Sequence, residues 1–182
     1  MNKMKKLILL FLITISISAQ SLKFGANISV NSITVEKIYL PYGDFQESSS
    51  EEKGFAAISF SGDLSAFFSK YFAVVLELGA TLTEETSSQY STLDFGILYS
   101  TNLLFENIYF KTGFYGHLNG GDNSRFTNYT FYATAFGVGI QIFDNAALEG
   151  EFQIPINKSY AKDDFTEFKL KNIWGFGLKL TF

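Results

Sequence analysis

The sequence has no cysteine, two prolines, one histidine and one tryptophan. Without cysteine there is no disulfide scaffold, no thiolate metal site and no N-terminal lipid anchor. A single histidine leaves little for a metal centre of any kind, so neither metal nor cofactor is expected. Positive charge is short, with 14 Lys+Arg against 18 Asp+Glu and a formal charge of -4, the wrong sign for a nucleic-acid partner. No run of 18 apolar residues occurs, which excludes a transmembrane helix, and no sustained 3.6-residue period follows residue 20. No phosphate-binding glycine loop of the Walker or dinucleotide type is present. Aromatic residues are abundant instead. They form 18% of the chain, 21 Phe and 10 Tyr among them, which excludes disorder. A length of 182 residues fits one domain.

Residues 1–20 read as a secretory signal peptide, leaving residues 21–182 as one β-barrel domain. Lys3, Lys5 and Lys6 form a basic head, Leu7 to Ile13 an apolar run, and Ala19-Gln20 the cleavage region. The run is too short for a bilayer, which takes about 20 residues.

Beyond it the chain alternates with period two, the strand pattern. The apolar phase contains Phe24, Ala26, Ile28 and Val30 in a first strand, Ala56 to Phe68 in a second, and Phe72 to Leu82 in a third. Leu93 to Tyr99, Ile108 to Leu118, Tyr132 to Ile142 and Leu148 to Ile156 follow. The last strand reads Phe168, Leu170, Asn172, Trp174, Phe176, Leu178, Leu180, Phe182 on one face. That makes eight strands of roughly ten residues, the length that crosses a bilayer when tilted. Longer polar loops near 31–53, 83–91, 119–128 and 157–166 alternate with short turns at 69–70, 102–107 and 144–145. This asymmetry belongs to outer-membrane barrels. The expected fold is all-β, an eight-stranded antiparallel up-and-down transmembrane β-barrel.

The opposite phase carries Lys23, Asp63, Glu77, Asp94, Lys111, Glu149, Glu151, Lys169, Lys171 and Lys179, whereas the apolar phase has no charge. Lipid outside enforces such a separation, because a Lys or Arg facing mid-bilayer costs about 2–4 kcal/mol. A soluble lipocalin-like barrel separates the phases too, with its apolar face inward around a ligand. That alternative puts Phe60, Leu76, Phe95 and Phe136 around a cavity. Side-chain size favours lipid outside. The apolar phase is bulky, whereas Gly25, Gly79, Gly96, Gly113, Gly137, Gly139, Gly175 and Gly177 share the charged phase, and an eight-stranded lumen has room only for side chains.

The signal ending Ser18-Ala19-Gln20, the strand opening Gly54-Phe55-Ala56-Ala57 and the turn Ser69-Lys70-Tyr71-Phe72 resemble the small porin-family outer-membrane β-barrel proteins of Gram-negative bacteria. So do Phe136-Gly137-Val138-Gly139 and the segment Trp174-Gly175-Phe176-Gly177-Leu178-Lys179-Leu180-Thr181-Phe182. The resemblance implies residence in the outer membrane, contact with its lipids and lipopolysaccharide, and a monomer. It also implies that Trp174, Phe176, Leu178, Leu180 and Phe182 form the C-terminal signal read by the barrel-assembly machinery. Larger members append a peptidoglycan-binding domain, and cell-wall tethering is not carried over here.

The lumen phase offers five acids and five lysines, together with Tyr115 and His117. Charges in so narrow a space must pair. The expectation is a polar network that plugs the barrel, with a narrow ion or solute path as the other reading. A hydrophobic-compound channel needs a lateral gap and an apolar mouth, which the charged phase disfavours. No catalytic residues are expected: His117 faces the lumen, with no lipid-phase serine beside it. The acidic pairs Glu51-Glu52, Glu84-Glu85 and Asp163-Asp164 read as a solvated surface, or as lipopolysaccharide contacts bridged by divalent cations. The apolar stretch Ile38 to Tyr42 with Phe45 reads as a partner surface or as a hairpin extended above the membrane.

Overall fold

The computed structural model describes residues 19–41, 48–85, 89–105, 107–120 and 125–182, the side chains of 102–105 excepted. Most of the expected signal peptide, and Tyr42 and Phe45, lie outside the described residues.

Every element among the described residues is a strand: β1 Ser21–Tyr39, β2 Ser49–Ser69, β3 Phe72–Leu82, β4 Thr92–Phe105, β5 Ile108–Asn119, β6 Thr127–Asn128, β7 Thr130–Phe143, β8 Ala146–Pro155, β9 Ser159–Lys162 and β10 Thr166–Thr181. Neighbours pair antiparallel in the order β1-β2-β3-β4-β5-β7-β8-β10, and β1 pairs with β10 to close a ring of eight. Closure leaves no free edge around the ring. Phe182 N donates to Phe24 O at 2.7 Å, so the last residue is zipped to the first strand. The fold is an up-and-down, eight-stranded antiparallel barrel.

The period-two pattern explains the wall. Phe24, Leu78, Phe114, Phe136 and Phe176 point outward and are more than half exposed, whereas Lys111, Tyr115, His117 and Glu149 on the other phase are buried. This is an inside-out protein, polar within and apolar without.

The turns at 70–71 and 144–145 are short. At the other end the strands differ in height. The β1–β2 ladder runs on from Asn31↔Ala57 to Tyr39↔Ser49, whereas β3 stops at Leu82 and β5 at Asn119. Most of the expected loop at 31–53 is therefore a standing hairpin. The reason is a change of solvent. Below this level the outward positions are apolar (Val30, Ile58), but above it the inward ones are (Ile33, Val35, Phe55, Ala57). The register does not slip. The residues switch because the outside changes from apolar to aqueous, and a conventional core takes over within. β9 and β6 pair beside β10 and extend this collar, so the expected loop at 157–166 is also partly strand.

β10 departs from strict alternation. Thr34 opposes Asn172 but Val35 opposes Leu170, leaving Lys171 as the extra residue of a β-bulge. One extra residue turns everything beyond it to the other face. Phe168 and Leu170 thus point into the collar core, at 3% and 0% exposure. Lys169 and Lys171 turn away from the lumen.

Two glycines show why the inward face is small. Gly96 sits opposite Tyr115, and Gly139 opposite Tyr109. A Cβ on Gly96 would stand 2.7 Å from the Tyr115 ring, and one on Gly139 would stand 2.1 Å from the Tyr109 ring. Each glycine is the seat of a lumen tyrosine. Gly139→Val is therefore expected to destabilise the barrel by about 1–3 kcal/mol, the usual cost of overpacking, measured by urea unfolding in lipid vesicles.

Candidate functional site: the barrel lumen and its two mouths

The lumen is filled by one hydrogen-bonded network. Lys111 Nζ, on β5, lies 2.6 Å from Glu149 Oε2 and 3.5 Å from Glu151 Oε2, both on β8. Glu149 also accepts from Asn27 Nδ2 at 3.1 Å and from the Tyr109 hydroxyl. Glu77, on β3, accepts from Ser61 Oγ at 2.6 Å and from the Tyr115 hydroxyl at 2.9 Å. Gln153 Nε2 donates to Glu151 Oε1 at 2.9 Å, which turns its carbonyl toward His117. His117 Nε2 lies 2.9 Å from that carbonyl, and Nδ1 lies 2.7 Å from Asp94 Oδ1. From Asp94 the chain continues through Thr81 at 2.6 Å to Ser59 and Asn31. A cavity of about 60 Å³ lies beside these groups.

Strand phase explains who joins. Asp63, Glu77, Asp94, Lys111, Tyr115, His117, Glu149, Glu151 and Lys179 all face inward. Lys179 pairs with Asp63 at 3.0 Å, and Ser65 Oγ donates to the same carboxylate at 2.9 Å. Three expected members stand elsewhere. Lys23 is exposed at the short-turn mouth, 5.4 Å from the Phe67 ring centroid. Lys169 and Lys171 lie beyond the bulge, where Lys169 is 3.4 Å from Glu167 and Lys171 2.5 Å from Glu52. This corrects the expected balance of charge. Five carboxylates share the lumen with two lysines, Lys111 and Lys179, so the interior is acidic. Neutral donors make up the shortfall, since Glu77 is held only by hydroxyls.

Sequence reasoning that followed charge passed over those donors. Asn27, Asn31, Ser59, Ser61, Thr81 and Gln153 were all legible as uncharged polar residues on the inward phase.

Above the network the lumen is closed by an aromatic roof. The His117 ring stacks on Phe131 at 4.5 Å. Tyr90, in the β3–β4 connection, packs against Phe55 at 5.7 Å, Tyr160 at 5.5 Å and Phe131 at 6.0 Å. Burial pushes the Tyr90 and Tyr160 hydroxyls well above the usual phenol range, so the roof stays uncharged. Asn119 fixes the connection that carries Tyr90. Its Nδ2 donates to Gln89 O at 3.0 Å, its Oδ1 accepts from Ser91 N at 3.1 Å, and Gln89 takes the left-handed φ of 54° that turns the chain inward.

The acidic pairs of the collar are each partly engaged. Glu52 meets Lys171 at 2.5 Å, Glu85 meets Lys53 at 3.2 Å, and Asp163 meets Arg125 at 2.6 Å. Among the described residues no group of three or more His, Cys, Asp or Glu is arranged to hold a metal ion.

No protein-family model matches the chain, and no curated protein matches it in sequence. Solved structures do. The outer membrane protein OprG from Pseudomonas aeruginosa superimposes with a TM-score of 0.52 at 9% identity, over 91% of this chain and 98% of that one. Neisserial surface protein A superimposes with a TM-score of 0.47 at 9% identity, over 90% of this chain and 100% of that one. At such identity the likeness to OprG is one of fold: the chain has the fold of a small outer-membrane β-barrel.

Proposed function

We propose that this protein is a monomeric, non-enzymatic integral protein of the outer membrane, exported by residues 1–20 and inserted by the barrel-assembly machinery. Its lumen is a structural plug. Its role lies in the wall and in the collar it presents outside the cell, among lipids and lipopolysaccharide. One observation carries the reading: large apolar side chains are exposed around the ring, while the charged groups are inside it. Water outside would leave this belt without a partner, whereas lipid matches it.

The plug reading rests on the lumen being filled twice over, by the ionic network and by the roof. Ile33, Phe131, Tyr160 and Leu170 are fully buried, packed against one another rather than lining a passage. A catalytic role for His117 is disfavoured because both ring nitrogens are engaged, by Asp94 and Gln153. The soluble ligand-binding alternative loses its cavity, since Phe60, Phe95 and Phe136 point outward and are 40–53% exposed. The hydrophobic-compound channel gains an apolar mouth in the roof. Against it stands the polar network beneath.

Two measurements test the reading. The protein is expected in the outer-membrane fraction, migrating anomalously on SDS gels until boiled. Recovery as a soluble periplasmic protein with no heat shift overturns it. In planar bilayers the protein is expected to stay silent, and sustained openings overturn the plug.

A further inference from the structure

The short-turn mouth of the barrel opens into a bowl of about 480 Å³, the size of a small-molecule site. Among the described residues its lining includes four lysines, Lys23, Lys70, Lys111 and Lys179, and one acid, Asp144. These lysines stand on different parts of the ring: β1, the β2–β3 turn, β5 and β10. Lys111 and Lys179 are each paired with a lumen acid, whereas Lys23 stands exposed at the open end. The floor is sealed. Lys111 and Tyr109 are bonded to Glu149, and Lys179 to Asp63 at 3.0 Å. A solute that enters meets a closed network and has no path onward, so the bowl is suited to holding a ligand and not to passing one. Lys23 is its readiest contact. Its ammonium lies over the Phe67 ring, and among the described residues no carboxylate lies within ion-pair distance of it.

We propose that this bowl binds a small soluble polycarboxylate, with Lys23 as its principal charge contact. Several separated carboxylates match cations spread around a ring better than one compact anionic group does. That the bowl faces the periplasm rests on the function proposed above. That it binds does not, because the test is made on purified protein.

The full chain, ¹⁵N-labelled and folded in maltoside micelles, is titrated with citrate, and with acetate and inorganic phosphate as comparators. Citrate is expected to shift the amide signals of Lys23, Tyr71 and Thr101 saturably, and more tightly than either comparator. In Lys23→Gln the affinity is expected to fall about tenfold, the loss of one charge-assisted contact, with the heat-shifted gel band unchanged. Lys158→Gln, at the opposite end, is expected to bind as the parent does. Absence of saturable shifts, undiminished binding by Lys23→Gln, or phosphate binding as tight as citrate overturns the proposal.

Discussion

Replacing Lys111 with methionine is expected to destabilise the barrel by about 3–5 kcal/mol, the cost of leaving a buried charge without its partner. The side chain is almost wholly enclosed, at 4% exposure, and it is the cation shared by Glu149 and Glu151. Without it those two carboxylates and Glu77 crowd one narrow space with only neutral donors. Part of the loss is expected to return in the double variant Lys111→Met with Glu149→Gln, because removing both members of an ion pair costs less than removing one. Urea unfolding in lipid vesicles, followed by the fluorescence of the single tryptophan, measures both. A Lys111→Met barrel within about 1 kcal/mol of the parent would show that the network fills the lumen without carrying its stability.

Leu78→Arg tests the opposite face. Leu78 is 70% exposed in the middle of β3, paired with Gly62 and Phe95. If its surroundings are acyl chains, arginine there costs about 2–4 kcal/mol in vesicles. If they are water, it costs nothing measurable. Ser50→Arg, on the collar portion of β2, serves as the reference, since exposed surface substitutions stay within about 0.5 kcal/mol. Equal effects at the two positions would argue against a bilayer around Leu78.

The barrel was legible in the sequence because side-chain direction alternates strictly in a strand, and lipid outside with packed polar groups inside gives opposite demands to the two phases. From Phe24 to Val30, or Phe72 to Leu82, the pattern alone assigns every side chain to its face. Two features were not legible, for different reasons. The first hairpin continues beyond Val30 without a break in register, but its apolar positions move to the other phase at Ile33. Read with one solvent in mind, that change looks like the end of a strand. In fact only the solvent has changed. The bulge at Lys171 is the converse case. There the apolar spacing from Phe168 through Leu170 to Trp174 stays even while the backbone inserts a residue, so the side chains on either side of the bulge face opposite ways. Composition cannot reveal this, because Phe168 buried in the collar and Trp174 on the outer surface are both apolar. Even spacing alone therefore puts Lys169 and Lys171 in the lumen. The partner strand exposes the error, because Val35 opposes Leu170.

The lumen site was half legible. Charged inward residues could be named from phase, but not the order in which they meet. That order follows from register between strands distant in sequence, as with Asn27 and Glu149, 122 residues apart. The roof left less of a mark. Tyr90 lies in a connection outside any alternating run, and it reaches inward because Asn119 and the left-handed Gln89 turn the chain there.

The central claim is that lipid surrounds the aromatic belt. The chain has one tryptophan, Trp174, on the outer face of β10 at 58% exposure, with its ring centroid 4.2 Å from that of Phe152. Folded into vesicles of lipids brominated at defined depths along the acyl chain, the protein is expected to show strong quenching of this fluorescence. Bromine near the headgroup should quench more than bromine at the bilayer centre, as an interfacial aromatic requires. Folded protein whose Trp174 emission is the same in brominated and plain lipid would contradict the account.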